Sequence, residues 1–293
     1  MNKVEGFLLQ FIDAYYLRIL VIIGINIILA LGLNLITGVT GQLSMGHAGF
    51  MSIGAYTAAI LTLQFGLSFG IALLGGAVMA GLFGFLIGIP TLRLEGDYLA
   101  MVTIGFGEII RVFFLNFELG GKATGLYGMT KYTTFTTVWI LVIIIVLLNA
   151  KLLKSRHGRA LYAIRENEIA AEAAGVNTTL MKVLAFTIGA FLAGLAGGLY
   201  AHYMGYIAPK DFAFMKSIEI LNMVVLGGMG SIPGSILGAF ILTIAPEMLR
   251  IVDEYRLLFY GALLVILMIF RPNGLLGNVR IYDLKKRFRK KEV

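Results

Sequence analysis

No cysteine occurs anywhere in the 293 residues, which excludes a disulfide framework and any thiolate metal site. Histidine is nearly as scarce. His47, His157 and His202 lie far apart and no H-E-x-x-H pattern occurs, so no metal cluster is expected. The glycine-rich stretches lack the following Lys-Ser/Thr pair of a phosphate-binding loop, so the chain is not expected to hydrolyse a nucleotide itself. No catalytic residue is assigned and no cofactor is expected on this chain. Charge is the next shortage. Asp, Glu, Lys and Arg make up 14% of the residues, against roughly a quarter in a soluble domain. That is too little to cover a water-facing surface. Lys3, Asp13 and Arg18 precede the first long apolar run without an A-x-A-like cleavage site, which does not read as a removable signal peptide.

What is present is apolar. Hydrophobic residues make up 59% of the chain and the mean hydropathy is +0.89. Runs at 17–36, 138–153 and 257–270 approach or reach the roughly 20 residues that span a bilayer as a helix. The alternating pattern of a membrane β-barrel is absent. The expected fold is an all-α polytopic membrane protein, a single transmembrane domain over residues 1–293. About five segments precede residue 155, at 17–36, 46–65, 70–89, 98–117 and 138–153, which would place the N-terminus outside. About four more follow, near 183–207, 217–226, 234–249 and 257–270. With glycine-rich broken segments allowed for, about eight to ten spans are expected.

The net charge of +8 is read as topology and not as nucleic-acid binding. Lys and Arg cluster at 151–182 and in the tail at 280–291, beside spans, as the positive-inside rule requires of cytoplasmic segments. The loop at 155–180 and the basic tail at 278–293 are therefore both assigned to the cytoplasm, with an even number of crossings between them. The loop is the one interior segment rich in charge. Its run Ile169-Ala-Ala-Glu172-Ala-Ala-Gly175 combines strong helix formers with small side chains, which suits a helix seated in a partner's groove. The plainer reading is a loop that fixes topology by charge.

Small residues recur every fourth position at Gly76, Ala80, Gly84 and Gly88, at Ala190, Gly194 and Gly198, and at Gly230, Gly234 and Gly238. Such faces let helices pack closely in lipid. Two glycine runs differ, at 38–50 and 227–234, one in each half of the chain. Irregular backbone at membrane depth must be buried in protein or line a water-filled path, and paired interruptions point to a midplane path. Gly41, Ser44, Gly46, His47, Gly227, Gly228, Gly230 and Ser231 are the candidate path residues; interfacial turns are the alternative. For His47, solute contact and a neutral imidazole bonded to a neighbouring backbone both remain open. Glu108 and Arg111, three apart, are expected to form a structural ion pair facing the bundle interior. Glu219 and Asn222 share that spacing.

Taken in order, several stretches carry a resemblance. They are Gly41-Gln-Leu-Ser-Met-Gly46-His-Ala-Gly-Phe50 with Gly54-Ala-Tyr56, Gly96-Asp-Tyr98 with Gly107-Glu-Ile-Ile-Arg111, and Gly158-Arg159 through Ala163-Ile-Arg165-Glu-Asn167. Glu172-Ala-Ala-Gly175, Lys182, Ala193-Gly194-Leu-Ala-Gly197, Gly227-Gly228-Met-Gly230-Ser231 and Arg271-Pro-Asn-Gly274-Leu-Leu-Gly277 complete the set. Together they span nearly the whole chain. The sequence resembles the permease subunits of bacterial ABC importers for branched-chain amino acids, LivM type. One departure is visible. The general importer-permease signature is similar to Glu-Ala-Ala with Gly four positions later and then Ile-x-Leu-Pro. Here Gly175 follows Ala174 at once and no such Pro appears.

The resemblance implies the ABC importer permease fold in the cytoplasmic (inner) membrane of a bacterium or archaeon. It implies ATPase coupling through Gly158, Arg159, Arg165, Glu166, Asn167, Glu172, Ala173, Ala174 and Gly175. The implied partners are two ATP-binding subunits, which would hold the ATP and Mg, a second homologous permease, and a periplasmic or lipid-anchored solute-binding protein. Two other readings stand beside it. One is the same architecture carrying urea, short amides or simple sugars. The other is an ion-coupled secondary transporter, for which Glu108 and Glu219 are the acidic candidates.

Overall fold

The structure is a computed structural model that describes residues 13–91, 94, 96–248, 261 and 274–276. The segment expected to span at 257–270 and the tail at 278–293 lie outside the described residues, apart from Gly261. The first helix, α1 (Ala14–Leu33), runs on into a π-helical turn at Asn34–Val39. It is apolar all round, as a central helix must be. Ile23, Ile25, Ile27, Ile28 and Leu29 are fully enclosed.

Around it stand α2 (His47–Leu63), α3 (Phe69–Thr91), α4 (Asp97–Asn116) and α5 (Phe135–Lys154). The charged loop forms α6 (Arg156–Glu166) and α7 (Glu168–Ala173). The long α8 (Thr178–Met204), the short α9 (Phe214–Gly227) and α10 (Ile232–Met248) follow. At the opposite end from α6, two-residue strands β1 (Leu126–Tyr127) and β2 (Tyr206–Ile207) pair antiparallel.

An all-helical polytopic membrane protein is what these elements make. By length and composition, five described helices can cross a bilayer: α1 with its π turn, α3, α4, α5 and α8. The apolar α2 and α10 have 17 residues each, at the lower edge of the roughly 17–25 that cross a bilayer, and α9 has 14, short of it. Five of the expected eight to ten spans are thus found among the described residues, since α2, α9 and α10 are shorter helices and 257–270 lies outside the described residues apart from Gly261.

The small-residue faces meet as their spacing implies. A Cβ on Gly194 would lie 2.4 Å from Ala80 Cβ, and one on Gly84 would lie 2.4 Å from Ala190 Cβ, so α3 and α8 touch along both repeats. A Cβ on Gly54 would come within 2.2 Å of the Gly194 backbone, which seats α2 in the same seam. Backbone approach of this kind supplies van der Waals contact where lipid offers no hydrophobic drive. The third repeat packs α10 on α9 through Gly227, Gly234 and Gly238. Outward, α3 and α5 expose Leu74, Val78, Leu82, Ile143, Ile144 and Leu147, a surface suited to lipid.

Candidate functional site

The loop expected to be one helix-forming element is two helices with a built corner. Ser155 Oγ accepts from the Gly158 N–H (3.3 Å), Asn167 Oδ1 from Ala170 (2.9 Å) and Asn177 Oδ1 from Leu180 (2.9 Å). These caps start α6, α7 and α8 in turn, each satisfying a donor the helix leaves free. Gly158 is buried where α5 turns into α6, and a Cβ there would meet the Leu152 and Leu153 backbones at 2.4–2.5 Å. Leu161 packs with Leu35, Val39 and Ala185 in a small separate core.

The opposite face of this hairpin is open. Arg159, Glu166, Asn167, Glu172, Ala173, Ala174 and Gly175 are exposed, and Ile169 is 81% exposed at the tip. Gly175 takes φ +83° at the end of α7, with open space where a side chain would go, so glycine is set there by backbone angle. The hairpin is pinned to the bundle by one ion pair between Lys182 and Glu168, the lysine side chain being 8% exposed. Thr178 Oγ1 also donates to Glu172 Oε1 at 3.2 Å.

The two glycine runs converge at this same end. The Gly230 N–H donates to Asn34 Oδ1 at 2.7 Å, and a Cβ on Gly38 would lie 2.3 Å from the Gly230 nitrogen. Two side chains of α6 reach both runs. Tyr162 Oη donates to the Gly230 carbonyl (3.0 Å), while Arg165 donates to the carbonyls of Gly38 and Met229. The Arg165 stem also lies along Gly41, whose would-be Cβ is 3.4 Å from Arg165 Cγ. Leu275 and Leu276 close the cluster by donating to Leu226 and Gly227 carbonyls at 2.9 and 3.0 Å. Arg165, grouped by resemblance with the partner-facing residues, is exposed like them, while its guanidinium reaches back to the membrane bundle.

Further from the hairpin, the first run ends halfway along α4. A Cβ on Gly46 would meet the Thr103 carbonyl oxygen at 2.1 Å, and one on Gly49 the Gly107 Cα at 3.1 Å. The start of α2 has no cap of its own. Instead, Thr103 Oγ1 accepts from Met45 N–H and Ser217 Oγ from Ala48 N–H, each at 3.0 Å. Ser44 and His47 are fully buried and lack a hydrogen-bond partner at Ser44 Oγ and at both ring nitrogens, although the Leu29 backbone lies beside the imidazole. Gly227 is closed against the Gly234 backbone, Gly228 (φ +113°) sits at the end of α9, and Ser231 is buried and accepts from the Gly234 N–H. Of the candidate path residues, Gly41 is exposed and Gly230 partly so.

Glu108 and Arg111 do pair, at 2.7 Å, but with side chains 39% and 30% exposed. They do not face the bundle interior, because Thr103, Phe106, Ile110 and Phe114 occupy the inward face of α4. Glu219 pairs with Lys216 (3.0 Å), on the other side from Asn222. Among the described residues no three His, Cys, Asp or Glu side chains come together as a metal site. Sequence reasoning missed Asn34, Tyr162, Thr103 and Ser217. Asn34 had one signal, as a polar residue near the end of an apolar run.

Interrupted apolar helices, small-residue seams and a charged hairpin at one end are the build of a polytopic membrane protein, and its family makes it a permease. The family described as the permease component of the branched-chain amino acid transport system matches residues 15–268, and the chain belongs to that family. It is 39% identical to the high-affinity branched-chain amino acid transport system permease protein LivM of Escherichia coli K12, over 264 aligned positions covering 78% of this chain and 62% of that protein. To LivH of the same organism it is 35% identical over 152 positions, covering 51% of this chain and 49% of LivH. A probable LivM of Methanocaldococcus jannaschii is 26% identical over 232 positions, 68% of this chain and 66% of that protein. This chain thus spans less than two thirds of the Escherichia coli LivM it matches. No solved structure matches it.

Proposed function

We propose that the chain is the translocation subunit of an ATP-driven importer of branched-chain, hydrophobic amino acids in the cytoplasmic membrane. Separate ATPase subunits dock on the α6–α7 hairpin and supply the energy. A second, homologous permease completes the path, and a solute-binding protein delivers the amino acid from outside. In this reading the hairpin and the basic tail are cytoplasmic, and the glycine runs border the solute path. The remaining crossings of an eight-to-ten-span topology come from α2, α9, α10 and residues 257–270. The observation that carries the reading is the hairpin's open face. An 81%-exposed Ile169 beside exposed Ala173, Ala174 and Gly175 is what a groove-seated helix presents.

Ion coupling has less support, since Glu108 and Glu219 are already neutralised by Arg111 and Lys216. The test is co-purification of the ATPases with a Glu172→Trp chain. Loss of the ATPases with normal membrane insertion is expected; normal co-purification and uptake overturn the docking assignment.

A further inference from the structure

Among the side chains of α6, Leu161 and Ile164 are buried apolar packing, whereas Tyr162 and Arg165 carry polar groups back to the bundle. Arg165 and Tyr162 belong to one helix, yet their partners lie 127, 64 and 68 residues away in both glycine runs. These partners are backbone carbonyls, and at two of the three no side chain fits: Gly38 is closed by Gly230 and Asn34, and Gly230 (φ +85°) by Gly38 and the Arg165 guanidinium itself, while Met229 carries an exposed side chain. Both Arg165 bonds leave one amino group, Nη1, whose two N–H donors serve the Gly38 and Met229 carbonyls together, while the rigid plane of the guanidinium holds that group in place better than a flexible lysine stem would.

The π turn at Asn34–Val39 lies on one side of the contact. Such turns mark places where a helix is locally rearranged, often at functional sites. On the other side, Gly228 and Gly230 both have positive φ, so the turn after α9 can change shape without side-chain penalty.

We propose that Arg165 and Tyr162 form a latch that transmits movement of the α6–α7 hairpin to the junction of the two glycine runs. This rests on the reading of the chain as an ATP-driven permease. They are positioning residues: they touch neither nucleotide nor solute, and set whether residues 38–41 and 228–230 stay together. With the latch intact, displacement of the hairpin by a partner pulls both runs. Without it, the hairpin moves and the bundle does not follow.

The test uses the whole transporter in vesicles, with leucine uptake and ATP hydrolysis measured in the same sample for wild type, Arg165→Gln, Arg165→Lys and Tyr162→Phe. A latch predicts that the ATPases still co-purify and still hydrolyse ATP, while leucine moved per ATP falls roughly tenfold in Arg165→Gln and less in Arg165→Lys and Tyr162→Phe. Unchanged leucine per ATP in Arg165→Gln and Tyr162→Phe overturns the proposal. So does a fall in assembly matched by an equal fall in both uptake and hydrolysis, which marks a merely structural role. If Arg165→Gln does not fold, Tyr162→Phe, which removes one hydroxyl, decides by the same ratio. A wild-type transporter that shows no ATP-dependent uptake counts against the proposed function instead, and is read separately.

Discussion

Two glycine contacts in this molecule look alike in sequence and differ in build. Where α2, α3 and α8 meet, Gly54, Gly76, Gly194 and Gly197 press backbone against backbone along whole helices. The hydrogen bond that crosses this seam, Thr62 to His202 at 3.0 Å, sits at one end of it. Where residues 38–41 meet 228–230, the contact is short, lies at a π turn and a positive-φ turn, and is bridged by Asn34, Tyr162 and Arg165. Close packing over many residues gives a seam that has no second arrangement nearby. A few polar bonds between segments of irregular backbone give a contact that can open and re-form. The lesson is that a glycine run in a membrane helix has to be read with the side chains that reach it.

The comparison breaks first at the long seam. Gly54→Val would drive a branched side chain into the Gly194 backbone, costing about 3 kcal/mol or more. Thermal unfolding in detergent should show little folded protein; a wild-type melting curve would mean the seam is loose. Gly38→Ala is the matching change at the short contact, where the Cβ would meet Gly230 N and Asn34 Oδ1. Here the expected cost is about 1–2 kcal/mol, because turn and side chain can give way. Uptake should nevertheless fall roughly tenfold. A variant that loses folding as fully as Gly54→Val would erase the distinction between the contacts.

Lys182→Met tests the pin beneath the hairpin. It leaves Glu168 without its partner, but that carboxylate is a third exposed, so about 1–3 kcal/mol is expected, read as faster proteolysis within residues 155–177. The smallest effect belongs to the lipid-facing side. Ile143→Ala, on the exposed face of α5, should stay within about 0.5 kcal/mol of wild type; a large loss would mean that face is covered by protein.

Much of the helical framework was legible. Segments expected at 17–36, 46–65, 70–89, 98–117 and 138–153 correspond to α1 through α5, since apolar runs of that length have few other uses. The four-residue spacings of Gly76–Gly88 and Ala190–Gly198 identified a real seam between α3 and α8. Less legible was where helices are cut. The side chain of Asn167 divides the charged loop into α6 and α7, a local capping choice that propensity averages over. Glu219 illustrates a similar limit, because Lys216 and Asn222 lie three positions away on either side and only the fold selects Lys216. The contacts of Asn34, Tyr162 and Arg165 were out of reach for a different reason. Hydropathy is one-dimensional, while these bonds join residues 64 to 196 apart.

The central claim is that this permease moves amino acids when ATP hydrolysis by docked partners is delivered through the α6–α7 hairpin. Its most direct test is leucine uptake into vesicles holding the complete transporter, with and without internal-face ATP, for wild type and Glu172→Trp. The account predicts uptake only with ATP in the wild type, and none in Glu172→Trp under any ion gradient. Uptake driven by a Na⁺ or H⁺ gradient without ATP would contradict it.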